Sequence, residues 1–104
     1  MKVDISKGFD IGALHFNVVV DGPRMQGEHT FGVCCHITQT IILRDNVSAD
    51  RLSATFLHKL VEAVNNQFEL QLPHSSICAL ESGLSQALKG LGIEFVIGGS
   101  NGTD

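Results

Sequence analysis

Hydrophobic and polar residues alternate along the stretch from His29 to Leu43. Alternation with a period of two is typical of a β-strand that buries one side and leaves the other polar. We therefore predict a long central strand in this stretch. Its core side is predicted to carry Phe31, Val33, Cys35, Ile37, Ile41 and Leu43. Its second side is predicted to carry the uncharged residues Thr30, Cys34, His36, Thr38 and Thr40.

A similar alternation upstream predicts a first strand from about Asp10 to Val20. The residues at 21–24 have the composition of a turn, and a loop then leads to the long strand. Two successive strands joined in this way most simply form an antiparallel hairpin. In that register His15 lies opposite Cys34 or His36 on the second face of the sheet.

Helical periodicity follows the long strand. Apolar residues recur every three or four positions from Leu52 to Phe68, which predicts an amphipathic helix with Ser48 as its N-cap. A second helix is predicted from Ser75 or Ser76 to Gly90, and a short strand follows it at 93–97. The second helix is predicted to bury Ile77, Leu80, Leu84, Leu88 and Leu91.

The element order is therefore strand, strand, helix, helix, strand. It predicts a two-layer α+β fold in which an antiparallel or mixed sheet is covered on one face by two helices. Residues 1–98 are predicted to form a single domain. Residues 99–104, which are rich in glycine and polar side chains, are predicted to form a flexible C-terminal tail.

Charge and composition narrow the classes of partner. The net charge is −4, and no basic patch for nucleic acid is present. No apolar stretch reaches the roughly 18 residues that span a bilayer, and no signal peptide is visible, so we expect a soluble cytoplasmic protein. Charged residues are only 17% of the chain, and the second sheet face carries none. These features favour a homo-oligomer, with a dimer through that face preferred.

The candidate chemistry lies mainly on the second sheet face. His15, Cys34 and His36 meet there in the predicted register, and imidazole and thiolate are the donors that zinc prefers. Cys34, His36 and His74 are the candidate contacts for a small ligand, and Cys34 is also a candidate nucleophile. His58, near Glu62, is predicted to lie on the solvated face of the first helix.

A family resemblance adds a second set of metal ligands. The segment Phe9-Asp10-Ile11-Gly12-Ala13-Leu14-His15 resembles the opening of the 6-pyruvoyl and 6-carboxy tetrahydropterin synthases, the T-fold enzymes. In that family a Phe-x-Phe-x-Ala-x-His strand supplies the first zinc ligand, and a His-x-His supplies the other two. The second motif falls at Gly27-Glu28-His29, where Gly27 replaces one histidine and Glu28 offers an oxygen donor instead.

The resemblance implies zinc held by His15, His29 and either Glu28 or His36, together with a pterin-like substrate. The chain departs from the family where an Asp-His and a Thr-x-Glu-Asn motif are expected, at 65–66 and 75–78. These departures put the family's activity in doubt for this chain.

Two hypotheses follow for function. The first is a non-catalytic, self-associating domain that binds a small molecule or a protein and requires no cofactor. The alternative is a zinc-dependent enzyme of the pterin class. Both proposed metal geometries share His15, so they predict that loss of His15 abolishes zinc binding and that loss of His58 does not.

Overall fold

A computed structural model of the chain describes residues 1–98, and the predicted tail at 99–104 lies outside the described residues. The fold is α+β, as predicted from the sequence. Its elements in chain order are β1 (Lys2–Asp4), β2 (Phe9–Ile11), β3 (Leu14–Val20), α1 (Gly22–Gly27), β4 (Gly32–Cys35), β5 (Thr40–Leu43), α2 (Ala49–Gln67), α3 (His74–Gly90) and β6 (Glu94–Val96).

The strands form two sheets. Four strands pair in the order β2-β3-β5-β4, and β1 pairs with β6 in a separate parallel ribbon. Within the larger sheet β3 and β5 are parallel, whereas the two outer pairs are antiparallel. Parallel neighbours require a connection that returns the chain to the starting end. Here α1 and β4 provide that connection.

Helix α2 is the element on which the rest of the chain packs. Ser48 caps its first turn by accepting a hydrogen bond from the backbone N–H of Arg51, so the predicted start is confirmed. One side of α2 packs on β4, β5 and β6, and another side packs on α3. Phe56 lies in the core with Ile41 and Leu43 of β5, both fully buried.

The predicted long strand from His29 to Leu43 is wrong, because β4 and β5 are two strands of a hairpin. The chain turns at 36–39, with Gln39 at a φ of 52°, and Ile37 at the turn is 92% exposed. Alternation alone cannot separate one strand from two when the turn residues continue the alternation. The turn also reverses the predicted sides of β4. Cys34 lies opposite Ile41 and packs against the core, while Cys35 lies on the other face.

Gly32 explains why the inward side of β4 was predicted wrongly, because an inward glycine leaves no hydrophobic signal in the sequence. It occupies an inward position opposite Leu43, directly under α2. A Cβ at Gly32 would lie 2.7 Å from Cγ2 of Thr55, so the close approach of strand and helix requires glycine there. The neighbouring Phe31, predicted to be in the core, is 42% exposed instead.

The predicted pairing of the first strand is also wrong. The stretch 10–20 forms two antiparallel strands, β2 and β3, and His15 lies opposite Asp10 rather than opposite Cys34 or His36. The segment after Asp21, predicted as a loop, contains α1. The Asp21 side chain accepts a hydrogen bond from the Arg24 N–H at the start of this helix.

Helix α3 packs mainly on α2 and not on the sheet. Ile77 is its one residue that is almost completely buried, as predicted. Three leucines were also predicted to be buried but are largely exposed: Leu80 is 45% exposed, Leu84 43% and Leu91 75%. Apolar periodicity marks a face that avoids water, but it does not say whether that face finds a partner in the same chain. No helix within residues 1–98 has the length and apolarity needed to cross a membrane.

Replacement of Phe56 tests the packing of α2. The Phe56 ring is 3% exposed and makes an edge contact with Phe9, with centroids 5.8 Å apart, and a tilted contact with Phe95 at 5.0 Å. We expect Phe56→Ala to lower the free energy of unfolding by about 3–5 kcal/mol, the usual cost of emptying a packed aromatic site. Urea denaturation measures this change. Phe68→Ala is the matched control, since Phe68 is 55% exposed, and equal losses for both variants would contradict the facing of α2.

Candidate metal centre between the two long helices

The polar side of α2 carries a histidine held between two carboxylates. His58 and Glu62 are four residues apart and therefore adjacent on the helix surface. The Nε2 atom of His58 lies 3.3 Å from Oε2 of Glu62, and its Nδ1 atom lies 3.7 Å from Oε1 of Glu81 on α3. The His58 side chain is only 16% exposed. This imidazole was predicted to be solvated, but it lies at the junction of the two helices.

The first turns of α3 bring a second histidine and a cysteine to the same place. His74 and Cys78 are four residues apart, and the Sγ atom of Cys78 lies 3.3 Å from Nε2 of His74. The rings of His58 and His74 have centroids 5.4 Å apart. Ligand atoms of His58, His74 and Cys78 all lie within 4.8 Å of one another. Within residues 1–98 this is the one group of three or more His, Cys, Asp or Glu side chains that is so close.

These separations suit a tetrahedral metal ion. Zinc binds imidazole nitrogen at about 2.0–2.1 Å and thiolate sulfur at about 2.3 Å. Two such donors on a tetrahedral ion are therefore about 3.3–3.6 Å apart. The His74–Cys78 separation of 3.3 Å is close to this range, and the three ligand atoms all lie within 4.8 Å of one another.

The carboxylates around His58 fit a supporting role. A metal-bound histidine usually donates its other ring N–H to a carboxylate or carbonyl, which fixes the orientation of the ring. Each ring nitrogen of His58 lies near one of the two glutamates. If Nε2 binds the metal, the Nδ1–H can donate to Glu81, and if Nδ1 binds it, the Nε2–H can donate to Glu62. Glu62 is held by Lys59 at 3.1 Å, and Glu81 accepts a hydrogen bond from the Ser85 hydroxyl at 3.1 Å.

The residues predicted as metal ligands lie apart from this centre. The Nδ1 atom of His15 is 2.7 Å from Oδ1 of Asp10 on the surface. Glu28 pairs with Arg24, and the exposed His29 follows α1 with a φ of 54°. Residues 1–98 contain no close group of three ligands made from His15, Glu28, His29 and His36.

The predicted ligand-binding residues divide between two places. Cys34 and His36 lie together, with Sγ and Nδ1 3.7 Å apart, beside a pocket that Lys59 and Glu62 also line. His74 belongs to the metal centre. Burial, with a smaller effect from the negative charge of Glu62, raises the pKa of the Cys34 thiol to about 11. Cys34 is therefore a neutral thiol at physiological pH, which disfavours it as a nucleophile.

His58 and Cys78 were not predicted as metal ligands from the sequence. His74 directly precedes the helix that was predicted from Ser75 or Ser76, and Cys78 lies in its first turn. If the helix begins at His74, the two residues are four apart on one face and can chelate one ion. That spacing was the available signal. His58 could not be added without knowing which side of α2 meets α3.

No protein-family model, curated protein or solved structure matches the chain. The resemblance to the tetrahydropterin synthases therefore stays a prediction, and the metal centre is interpreted from its geometry.

Proposed function

We propose that the protein binds a zinc ion between α2 and α3, with His58, His74 and Cys78 as its ligands. The observation that carries the proposal is the convergence of two imidazoles and one thiol within 4.8 Å. Mixed nitrogen and sulfur donors favour zinc over magnesium or calcium, which prefer oxygen. The ion would link two helices whose contact otherwise depends on few buried side chains of α3.

Binding of zinc in this position stabilises the folded chain. The ligands come from positions 58, 74 and 78, so the ion joins the middle of α2 to the first turns of α3. An unfolded chain does not hold these groups together, and metal that binds only the native state adds its binding energy to stability. At free zinc 100-fold above the dissociation constant the gain is about 2.7 kcal/mol.

Elemental analysis of protein purified without a histidine tag tests the proposal. Wild-type protein dialysed against zinc and then buffer is expected to retain one zinc ion per chain. His74→Ala and Cys78→Ser should each lose most of it, since each removes one of three ligands. The melting temperature of the wild type should rise with added zinc, and that of these two variants should not.

Two matched controls separate this centre from the one implied by the family resemblance. His15→Ala removes another exposed histidine, and Cys35→Ser removes a thiol outside the centre; both are expected to retain zinc. Loss of zinc from His15→Ala with retention by His74→Ala would favour the pterin-type site. Wild-type protein that takes up no zinc would end both hypotheses.

We further propose that the chain self-associates through α3. Leu80 and Leu84 of α3, and Leu91 directly after its last residue, are spaced so that they form one exposed stripe. Ala79, Gly83 and Ala87 flank the stripe, and such small residues let a second helix approach closely. Helix α3 of a second copy is the occupant that matches this stripe, since a two-fold axis would pair the same leucines with each other. The predicted dimer through the outer sheet face is the competing arrangement.

Light scattering on size-exclusion chromatography distinguishes the two arrangements. The wild type is expected to elute at twice the chain mass of 11.2 kDa. Leu84→Glu should convert it to a monomer, because a charge would be buried in the paired stripe. Val19→Glu is the matched control on the sheet face, since Val19 is 44% exposed and Leu84 is 43% exposed. Disruption by Val19→Glu alone would favour the sheet interface, and a monomeric wild type would contradict both.

A further inference from the structure

An apolar cleft is lined by residues of both sheets and by the apolar side of α2. Its volume is about 600 Å³, within the range of roughly 300–1,000 Å³ that is usual for sites of small molecules. The β1–β6 ribbon, the segment 8–12 around β2, and α2 all contribute to its lining. None of the three proposed zinc ligands lines the cleft, so a ligand bound there does not depend on the zinc site.

Phenylalanine rings form much of the cleft surface. Phe9, Phe56 and Phe95 line it, and the ring centroid of Phe56 lies 5.8 Å from that of Phe9 and 5.0 Å from that of Phe95. These three rings therefore make one contiguous aromatic surface. Phe68 lines the same cleft but is 55% exposed, so its ring is accessible to a ligand.

The charged residues that line the cleft are both acidic. They are Asp4 and Asp10, and within residues 1–98 no lysine, arginine or histidine lines the cleft. Asp10 is already paired with His15, with Oδ1 and Nδ1 2.7 Å apart. Asp4 has no cation within ion-pair distance among the same residues, so its carboxylate is the group that a positively charged ligand would meet.

Backbone hydrogen bonds fix the Asp4 carboxylate. Its Oδ1 atom accepts one from the Ser6 N–H at 2.9 Å and one from the Gly98 N–H at 2.7 Å. The bonds from Ser6 have the largest effect in lowering the pKa of Asp4, so this carboxyl group is ionised at neutral pH. Lys7 lowers the same pKa by its charge but does not line the cleft.

We infer that this cleft binds a small organic cation with an aromatic or other apolar group, which packs on the phenylalanine rings while its ammonium group lies near Asp4. The face of an aromatic ring is negative and attracts a cation, and quaternary ammonium groups are bound in this way. A carboxylate beside the rings adds attraction for a cation and repels an anion. Residues 99–104 contain only glycine, serine, asparagine, threonine and aspartate, so they offer no large apolar side chain to fill the cleft.

Isothermal titration calorimetry with benzyltrimethylammonium tests the inference. Benzenesulfonate is the matched probe, since it has the same ring and the opposite charge. The cation is expected to bind the wild type about tenfold or more tightly than the anion, because the rings and the carboxylate both favour positive charge. Equal affinities for the two probes would show a cleft that selects only for apolar surface, and would overturn the inference.

Two variants identify the groups that select the cation. Asp4→Asn keeps the side-chain shape and removes the charge, so it should weaken binding of the cation about two- to fivefold, as expected for an exposed ion pair. Asp50→Asn is its control, since Asp50 is an exposed carboxylate that pairs with Lys89 outside the cleft.

Phe68→Leu keeps an apolar side chain and removes the ring, so it should also weaken binding of the cation about two- to fivefold. Phe31→Leu is its control, because Phe31 is a partly exposed ring that does not line the cleft. Melting temperatures show whether each variant is folded. Unchanged affinity in both Asp4→Asn and Phe68→Leu, or a wild type that binds no cation, would overturn the inference and leave the zinc proposal as it stands.

Discussion

The packing of α2 is the interaction on which the rest of this structure depends. One side of the helix supplies Phe56 and Ala63 to the core, and both are almost fully buried. Gly32 lets β4 approach this side closely, and the Ser53 hydroxyl accepts a hydrogen bond from the Phe95 N–H of β6. Since the apolar side of α2 is fixed against both sheets, its polar side can only face α3 and the surface beside it.

The metal centre is a consequence of this constraint. Because the polar side of α2 faces α3, His58 lies between two glutamates and beside His74. Its side chain is mostly shielded from water there. Polar groups removed from water need partners, and a metal ion would satisfy an imidazole and a thiol at once. The same ion would fasten α3, whose outer leucines contribute little burial within one chain. The proposed zinc site and the attachment of α3 to α2 are thus parts of one arrangement.

The sequence predicts best what short-range periodicity controls. The extent of α2, its Ser48 cap, α3 and the last strand all follow from spacing, and the structure agrees with them within a residue or two. Prediction of the strands from the sequence fails at two places. At Ile37 a tight turn continues the alternating pattern, and β3 pairs with β5, which is not the next strand in the chain. The site was not predicted for a different reason, because His58 and Cys78 come together only through the packing of α3 on α2.

X-ray absorption at the zinc edge tests the central claim most directly, since it reports the atoms bound to the metal. We predict one sulfur at about 2.3 Å and nitrogen or oxygen neighbours at about 2.0–2.1 Å, with scattering typical of two imidazoles. Cys78→Ser should remove the sulfur contribution, whereas Cys35→Ser should leave it unchanged. A first shell of nitrogen and oxygen alone in the wild type would contradict a centre formed by His58, His74 and Cys78.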